Sequence, residues 1–167
     1  MNNIILIGMP GSGKTTLGRM LAEKLLWEHW DADDVFRKTI CSDISEYFAQ
    51  SGEADFRYEE TKILRELTGK TNVVISTGGG AVERAENKDI LQGGGTVIFI
   101  DRAPEHIIND VDTASRPLLA EGRQKIFELY ERRISRYIDF CHIRIENIGT
   151  PDGVTEKIIN EVKNYNG

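Results

Sequence analysis

Residues 8–16, Gly8-Met9-Pro10-Gly11-Ser12-Gly13-Lys14-Thr15-Thr16, constrain this chain more than any other stretch. They satisfy G-x-x-x-x-G-K-[ST] without a mismatch. The apolar run Ile4 to Ile7 precedes them and reads as a buried strand. Leu17, Met20, Leu21 and Leu25 follow at the spacing of one helix face. Strand, glycine loop and helix form the context in which this motif binds phosphate. Gly8, Gly11 and Gly13 let backbone N–H groups close on an anion that a Cβ would hold away. The helix start from Gly13 to Thr16 adds unpaired N–H groups and the positive end of the helix dipole. Lys14 brings a full charge to the terminal phosphates, and the Thr15 hydroxyl is placed for Mg²⁺. Gly11, Ser12, Gly13, Lys14, Thr15 and Thr16 are therefore the expected nucleotide contacts.

With 167 residues the chain is expected to form one domain, 1–167, of the alternating α/β class. Strands are expected near Asn3 to Ile7, Trp27 to Trp30, Val73 to Ile75, Thr96 to Asp101 and Ile143 to Ile145. Helices are expected near Lys14 to Leu25, from Ser42 or Asp43 to Gly52, and over Glu53 to Leu67 and Glu83 to Leu91. Three more are expected after Pro104, over Gln124 to Tyr137 and over Val154 to Asn164. Residues 111–123 show no clean period and read as a mobile lid. Gly93-Gly94-Gly95 precedes a strand and reads as a turn. A net charge of −6 argues against a nucleic-acid surface. No apolar run reaches membrane-span length and no secretory signal is visible, so a cytoplasmic location is expected; the expected state is a monomer. Cys41 and Cys141 have no metal or redox spacing and read as reduced thiols.

Ligands in open α/β sheets sit at the carboxyl ends of the strands. The phosphate loop, Asp31-Ala32-Asp33-Asp34 and Gly78-Gly79-Gly80 all fall there. An acidic run beside a triphosphate repels it unless a cation intervenes, so one carboxylate fits a Mg²⁺ ion and another a hydroxyl about to attack phosphorus. On an extended segment Asp31 and Asp33 would face the cleft together, leaving Asp34 to cap a helix. Glu60, three residues beyond Arg57, can pair with its guanidinium on one helix face. Gly78 to Gly80 is too costly in backbone entropy to be idle packing. Arg116, before Pro117, is placed to close over the transferring phosphoryl group, and an arginine on the following helix could grip an acidic acceptor. Asp101 reads as a helix cap near Pro104.

Together these residues resemble shikimate kinase over nearly the whole chain. The resemblance rests on the phosphate loop, Asp31-Ala32-Asp33, Gly52-Glu53 with Phe56-Arg57, Gly78-Gly79-Gly80-Ala81-Val82, Arg116-Pro117-Leu118-Leu119, and Arg133 four residues before Tyr137. It implies a three-layer sandwich with a five-stranded parallel sheet of the nucleoside-monophosphate-kinase type, an acceptor-binding segment at about 31–61 and a lid at about 111–123. It implies transfer of the γ-phosphate of ATP to the 3-hydroxyl of shikimate, with Mg²⁺, in aromatic amino-acid biosynthesis. By the same resemblance Lys14, Asp33 and Arg116 are catalytic, Thr15 and Asp31 serve the metal, and Asp33, Arg57, Gly78, Gly79, Gly80 and Arg133 bind shikimate. Spacing to Tyr137 selects Arg133 over Arg136 for the acceptor carboxylate. The competing readings are a gluconate or nucleoside-monophosphate kinase and a non-catalytic nucleotide-binding module.

Overall fold

The computed structural model describes residues 3–110 and 119–166. Its strands are β1 (Asn3–Ile7), β2 (Glu28–Asp31), β3 (Val73–Ser76), β4 (Gly95–Asp101) and β5 (Ile143–Glu146). They form one all-parallel sheet in the order β2-β3-β1-β4-β5. Parallel neighbours need helical crossovers, which cover both faces of the sheet. Side chains of alternate strand residues therefore enter two separate cores. Ile5, Ile7, Ile75, Val97 and Phe99 enter one, with Leu64, Leu67 and Tyr137 from the helices. Ile4, Leu6, Val74, Ile98 and Ile100 enter the other, with Leu17, Leu21 and Ile158. This is the three-layer sandwich that the alternation of elements implies.

The helices are α1 (Lys14–Leu25), α2 (Ala32–Ile40), α3 (Ile44–Ser51), α4 (Glu53–Thr68), α5 (Glu86–Gly94), α6 (Pro104–Asp110), α7 (Leu119–Phe140) and α8 (Pro151–Asn166). Several expectations need correction. The aspartate run is not extended: it opens α2, and Asp31 rather than Asp34 is the cap, its Oδ1 accepting from the Asp33 and Asp34 N–H groups at 3.0 and 3.3 Å. Residues 83–85 form a turn ahead of α5. Gly93 and Gly94 end that helix rather than forming a turn. Of the expected lid, residues 111–118, Arg116 among them, lie outside the described residues, and 119–123 belong to α7.

Asp101 does not cap α6. Its buried carboxylate accepts from the Tyr130 hydroxyl at 3.0 Å and from Arg144 Nε at 2.9 Å, tying α7 and β5 to the end of β4. Among the described residues no helix is long and apolar enough to cross a membrane.

Candidate active site

The phosphate loop leaves β1 and turns into α1 through Gly8, Gly11 and Gly13, whose φ values of 150°, 77° and 96° suit residues without a Cβ. Distant residues brace it. Asn147, beyond β5, donates to the Ser12 carbonyl at 2.8 Å, and Arg102 donates to that of Gly11 at 3.1 Å. Ser76, at the end of β3, donates to the Lys14 carbonyl at 2.9 Å and pairs with His29 Nε2 at 2.9 Å. Lys14 is buried, and its Nζ donates to the Gly8 and Met9 carbonyls at 2.8 Å each. Burial pulls its pKa down to about 8, partly opposed by the negative charges of Asp33 and Asp31. Thr16 is exposed on the first turn of α1.

Asp31 works in two directions. Its Oδ1 caps α2, while its Oδ2 accepts from the Thr15 hydroxyl at 2.6 Å. Two oxygen ligands side by side below a phosphate loop suit Mg²⁺, which takes few protein ligands and completes its shell with water and phosphate oxygens. Asp33 lies in the first turn of α2. Burial and the neighbouring Asp31 carboxylate raise its pKa, with Lys14 and Arg37 pulling the other way. A carboxylate with a raised pKa is a stronger base at neutral pH than an ordinary aspartate.

The turn Gly78-Gly79-Gly80 gathers the rest. None of its glycines has a left-handed φ; what each supplies is room. A methyl on Gly78 would stand 2.8 Å from Asp33 Oδ1 and 2.9 Å from Glu60 Oε1. One on Gly79 would stand 2.5 Å from the Pro10 ring in the phosphate loop, and one on Gly80 would overlap the Arg57 guanidinium. Arg57 Nη1 pairs with the buried Glu60 at 2.8 Å. Its Nε is buried with no hydrogen-bond partner among the described residues, the Glu53 carboxylate standing 3.7 Å away. On α7 the fully buried Tyr137 donates to the Gly79 carbonyl at 2.6 Å and stacks on Phe99. Burial pushes its pKa up to about 12, partly opposed by Arg133.

Arg133, one turn before Tyr137, is 5% exposed, whereas the Arg136 side chain is 44% exposed. Arg133 lies within electrostatic reach of Lys14, Glu60 and Tyr137, and Arg57 within reach of Glu60 and Tyr137. Contacts and charge proximity thus bring Lys14, Thr15, Asp31, Asp33, Arg57, Gly78 to Gly80 and Arg133 into one neighbourhood. A groove of about 630 Å³ opens beside Asp33, between α2 and α3. Sequence reasoning missed Glu83, Asn147 and His29, all of which reach the site through contacts too distant along the chain to leave a local pattern.

A phosphate loop beside two partly or fully buried guanidinium groups and a carboxylate suits a P-loop small-molecule kinase. The family model for shikimate kinase matches residues 10–163. A shikimate kinase of Clostridium botulinum (strain Alaska E43 / Type E3) is 43% identical over 157 residues, 94% of each chain. The structure of shikimate kinase from Acinetobacter baumannii in complex with shikimate superposes with a TM-score of 0.91 at 34% identity, covering 98% of this chain and 94% of that one. The Aquifex aeolicus enzyme superposes at 0.85 with 34% identity, covering 96% of each. The chain belongs to the shikimate kinase family.

Proposed function

We propose that the cleft around Gly78 to Gly80 is the acceptor site for the reaction that defines the family, the ATP-dependent phosphorylation of shikimate in aromatic amino-acid biosynthesis. One observation supports this most: the glycines of a single turn leave room for Asp33 and Glu60, for Pro10 and for the Arg57 guanidinium. Arg57 and Arg133 grip the carboxylate of shikimate, since charge-assisted pairs fix orientation as well as affinity. Gly79 and Gly80 line the pocket and leave room for Pro10 and Arg57 beside it. Asp33 accepts the proton of the 3-hydroxyl as its oxygen attacks the γ-phosphorus.

Lys14 and the N–H groups of Gly11 to Thr16 hold the phosphates and balance charge as the bond to ADP breaks. Thr15 and Asp31 would hold Mg²⁺, which supplies further charge neutralisation at the phosphates. Arg116 belongs to the same proposal as the residue that closes over the phosphoryl group, with 111–123 as the lid. The same proposal takes the protein to be a cytoplasmic monomer.

The test is ADP release from ATP and Mg²⁺ with shikimate, gluconate or nucleoside monophosphates as acceptor. Shikimate alone should stimulate release strongly. A larger response to another acceptor, or none to shikimate at millimolar concentration, overturns the proposal. Asp33→Asn should lower kcat by about 100-fold or more while ATP affinity stays near normal, the size expected of a lost general base.

A further inference from the structure

Glu83 stands three residues beyond Gly80, and its backbone N–H donates to the Gly80 carbonyl at 2.9 Å. The short turn thus carries its side chain from the acceptor pocket to the face of α7. There the carboxylate, 14% exposed, meets three guanidinium groups from one turn of that helix. Oε1 accepts from Arg133 Nε at 2.6 Å and from Arg132 at 3.0 Å, and Oε2 accepts from Arg136. Burial alone would raise the Glu83 pKa, but the hydrogen bonds from Arg133 and Arg132 outweigh it and hold the carboxyl below its ordinary value.

The three contacts are not equivalent. The Arg132 and Arg136 side chains are 59% and 44% exposed, whereas that of Arg133 is 7% exposed. Only Arg133 is fixed by protein on nearly every side. A guanidinium is planar, so engaging its Nε edge sets the plane and the direction of the two terminal nitrogens. One carboxylate shared by three cations also leaves net positive charge beside the cleft, so the clamp orients Arg133 without neutralising the group of arginines.

We propose that Glu83 is a positioning residue for the acceptor: it holds the Nε edge of Arg133 so that the terminal nitrogens meet the carboxylate of shikimate in a preset orientation. This rests on the assignment of Arg133 to the acceptor. Glu83 lines a groove together with Arg57 and Arg136, and its proposed effect on the acceptor passes through Arg133. Arg132 and Arg136 brace the carboxylate from outside, where solvent weakens their own pairing.

The experiment is steady-state kinetics of Glu83→Ala, Glu83→Gln, Arg133→Ala and the Glu83→Ala/Arg133→Ala double variant, each with a thermal melt. Glu83→Ala should raise the KM for shikimate about tenfold, the loss expected when one charge-assisted hydrogen bond is removed. Its kcat and its KM for ATP should stay within about twofold of the parent, because the phosphate side is untouched. Glu83→Gln keeps an acceptor oxygen for Arg133 Nε and should recover most of the loss, ending about threefold above the parent KM. The double variant should be no worse than Arg133→Ala alone, since the effect passes through that residue.

A parent-like KM for shikimate in Glu83→Ala, with a raised KM in Arg133→Ala, overturns the role of Glu83 and leaves the acceptor assignment standing. Additive losses in the double variant also overturn it. A parent-like KM in Arg133→Ala overturns both. Should Glu83→Ala fail to fold, Glu83→Gln decides the question: an unchanged KM for shikimate contradicts the proposal.

Discussion

Two runs of three glycines, Gly78-Gly79-Gly80 and Gly93-Gly94-Gly95, stand at opposite ends of the same sheet. The first follows β3 at the carboxyl end and the second leads into β4 at the amino end. Neither uses a left-handed backbone, so neither owes its glycines to a tight turn. In the first run every missing Cβ makes room for a site group: Asp33 and Glu60, Pro10, and Arg57. In the second, a Cβ on Gly94 would meet the Thr68 side chain and one on Gly95 the Asn3 carbonyl, while Gly93 faces open space. Asn3 organises that end structurally, donating to the Lys70 and Gly94 carbonyls at 2.7 and 3.0 Å. On the proposed assignment, the same tripeptide supports chemistry at one end of the strands and packing at the other.

Alanine substitutions separate the two roles. Gly79→Ala should be the most damaging, because its methyl would push against the Pro10 ring and part the acceptor turn from the phosphate loop. A displacement of about 1 Å costs on the order of 100-fold in kcat, and a kcat near the parent's would break the comparison. Next in size is the response to pH. Lys14, with its pKa lowered to about 8, carries its charge below that value and loses it above. In the free enzyme, kcat/KM for ATP should therefore fall about tenfold per pH unit on the alkaline side. On the acid side, activity should fade as Asp33 takes up a proton, at a pH above the ordinary aspartate value because burial raises its pKa. Kinetic pH profiles check both limbs, and Asp33→Asn should remove the acid one.

Gly95→Ala should lower stability by roughly 1–3 kcal/mol through overpacking against the Asn3 carbonyl, while folded molecules keep their turnover. Denaturant unfolding beside a kcat measurement distinguishes this from a loss at the site. The smallest effect should come from Gly93→Ala in the last turn of α5, a gain of up to about 0.5–1 kcal/mol with unchanged kinetics.

Where a short-range rule applied, the fold was legible in the sequence. The apolar strands β1 and β4, the phosphate loop and the Arg57–Glu60 pair each follow from periodicity or spacing. Asp31 to Asp34 misled because the N-cap and first turn of a helix can look like a polar extended segment. Phe36, buried on the inner face of α2, was the apolar signal available there. Asp101 misled in the opposite way: its partners Tyr130 and Arg144 come from α7 and β5, and capping is only the local alternative. The site's remaining supports depend on contacts between residues far apart in sequence. Glu83 reaches Arg133 across 50 positions, Asn147 reaches Ser12 across 135 and Tyr137 reaches Gly79 across 58. No window of residues contains both partners of such a pair.

The most direct test of the glycine turn as organiser of the acceptor site is calorimetric binding of shikimate and ATP to Gly80→Ala. The atoms nearest the added methyl are those of the Arg57 guanidinium, so ATP binding by the folded variant should stay near the parent's. Shikimate binding should weaken at least about tenfold, the size expected when a charge-assisted contact is displaced. Shikimate binding as tight as in the parent would contradict the account.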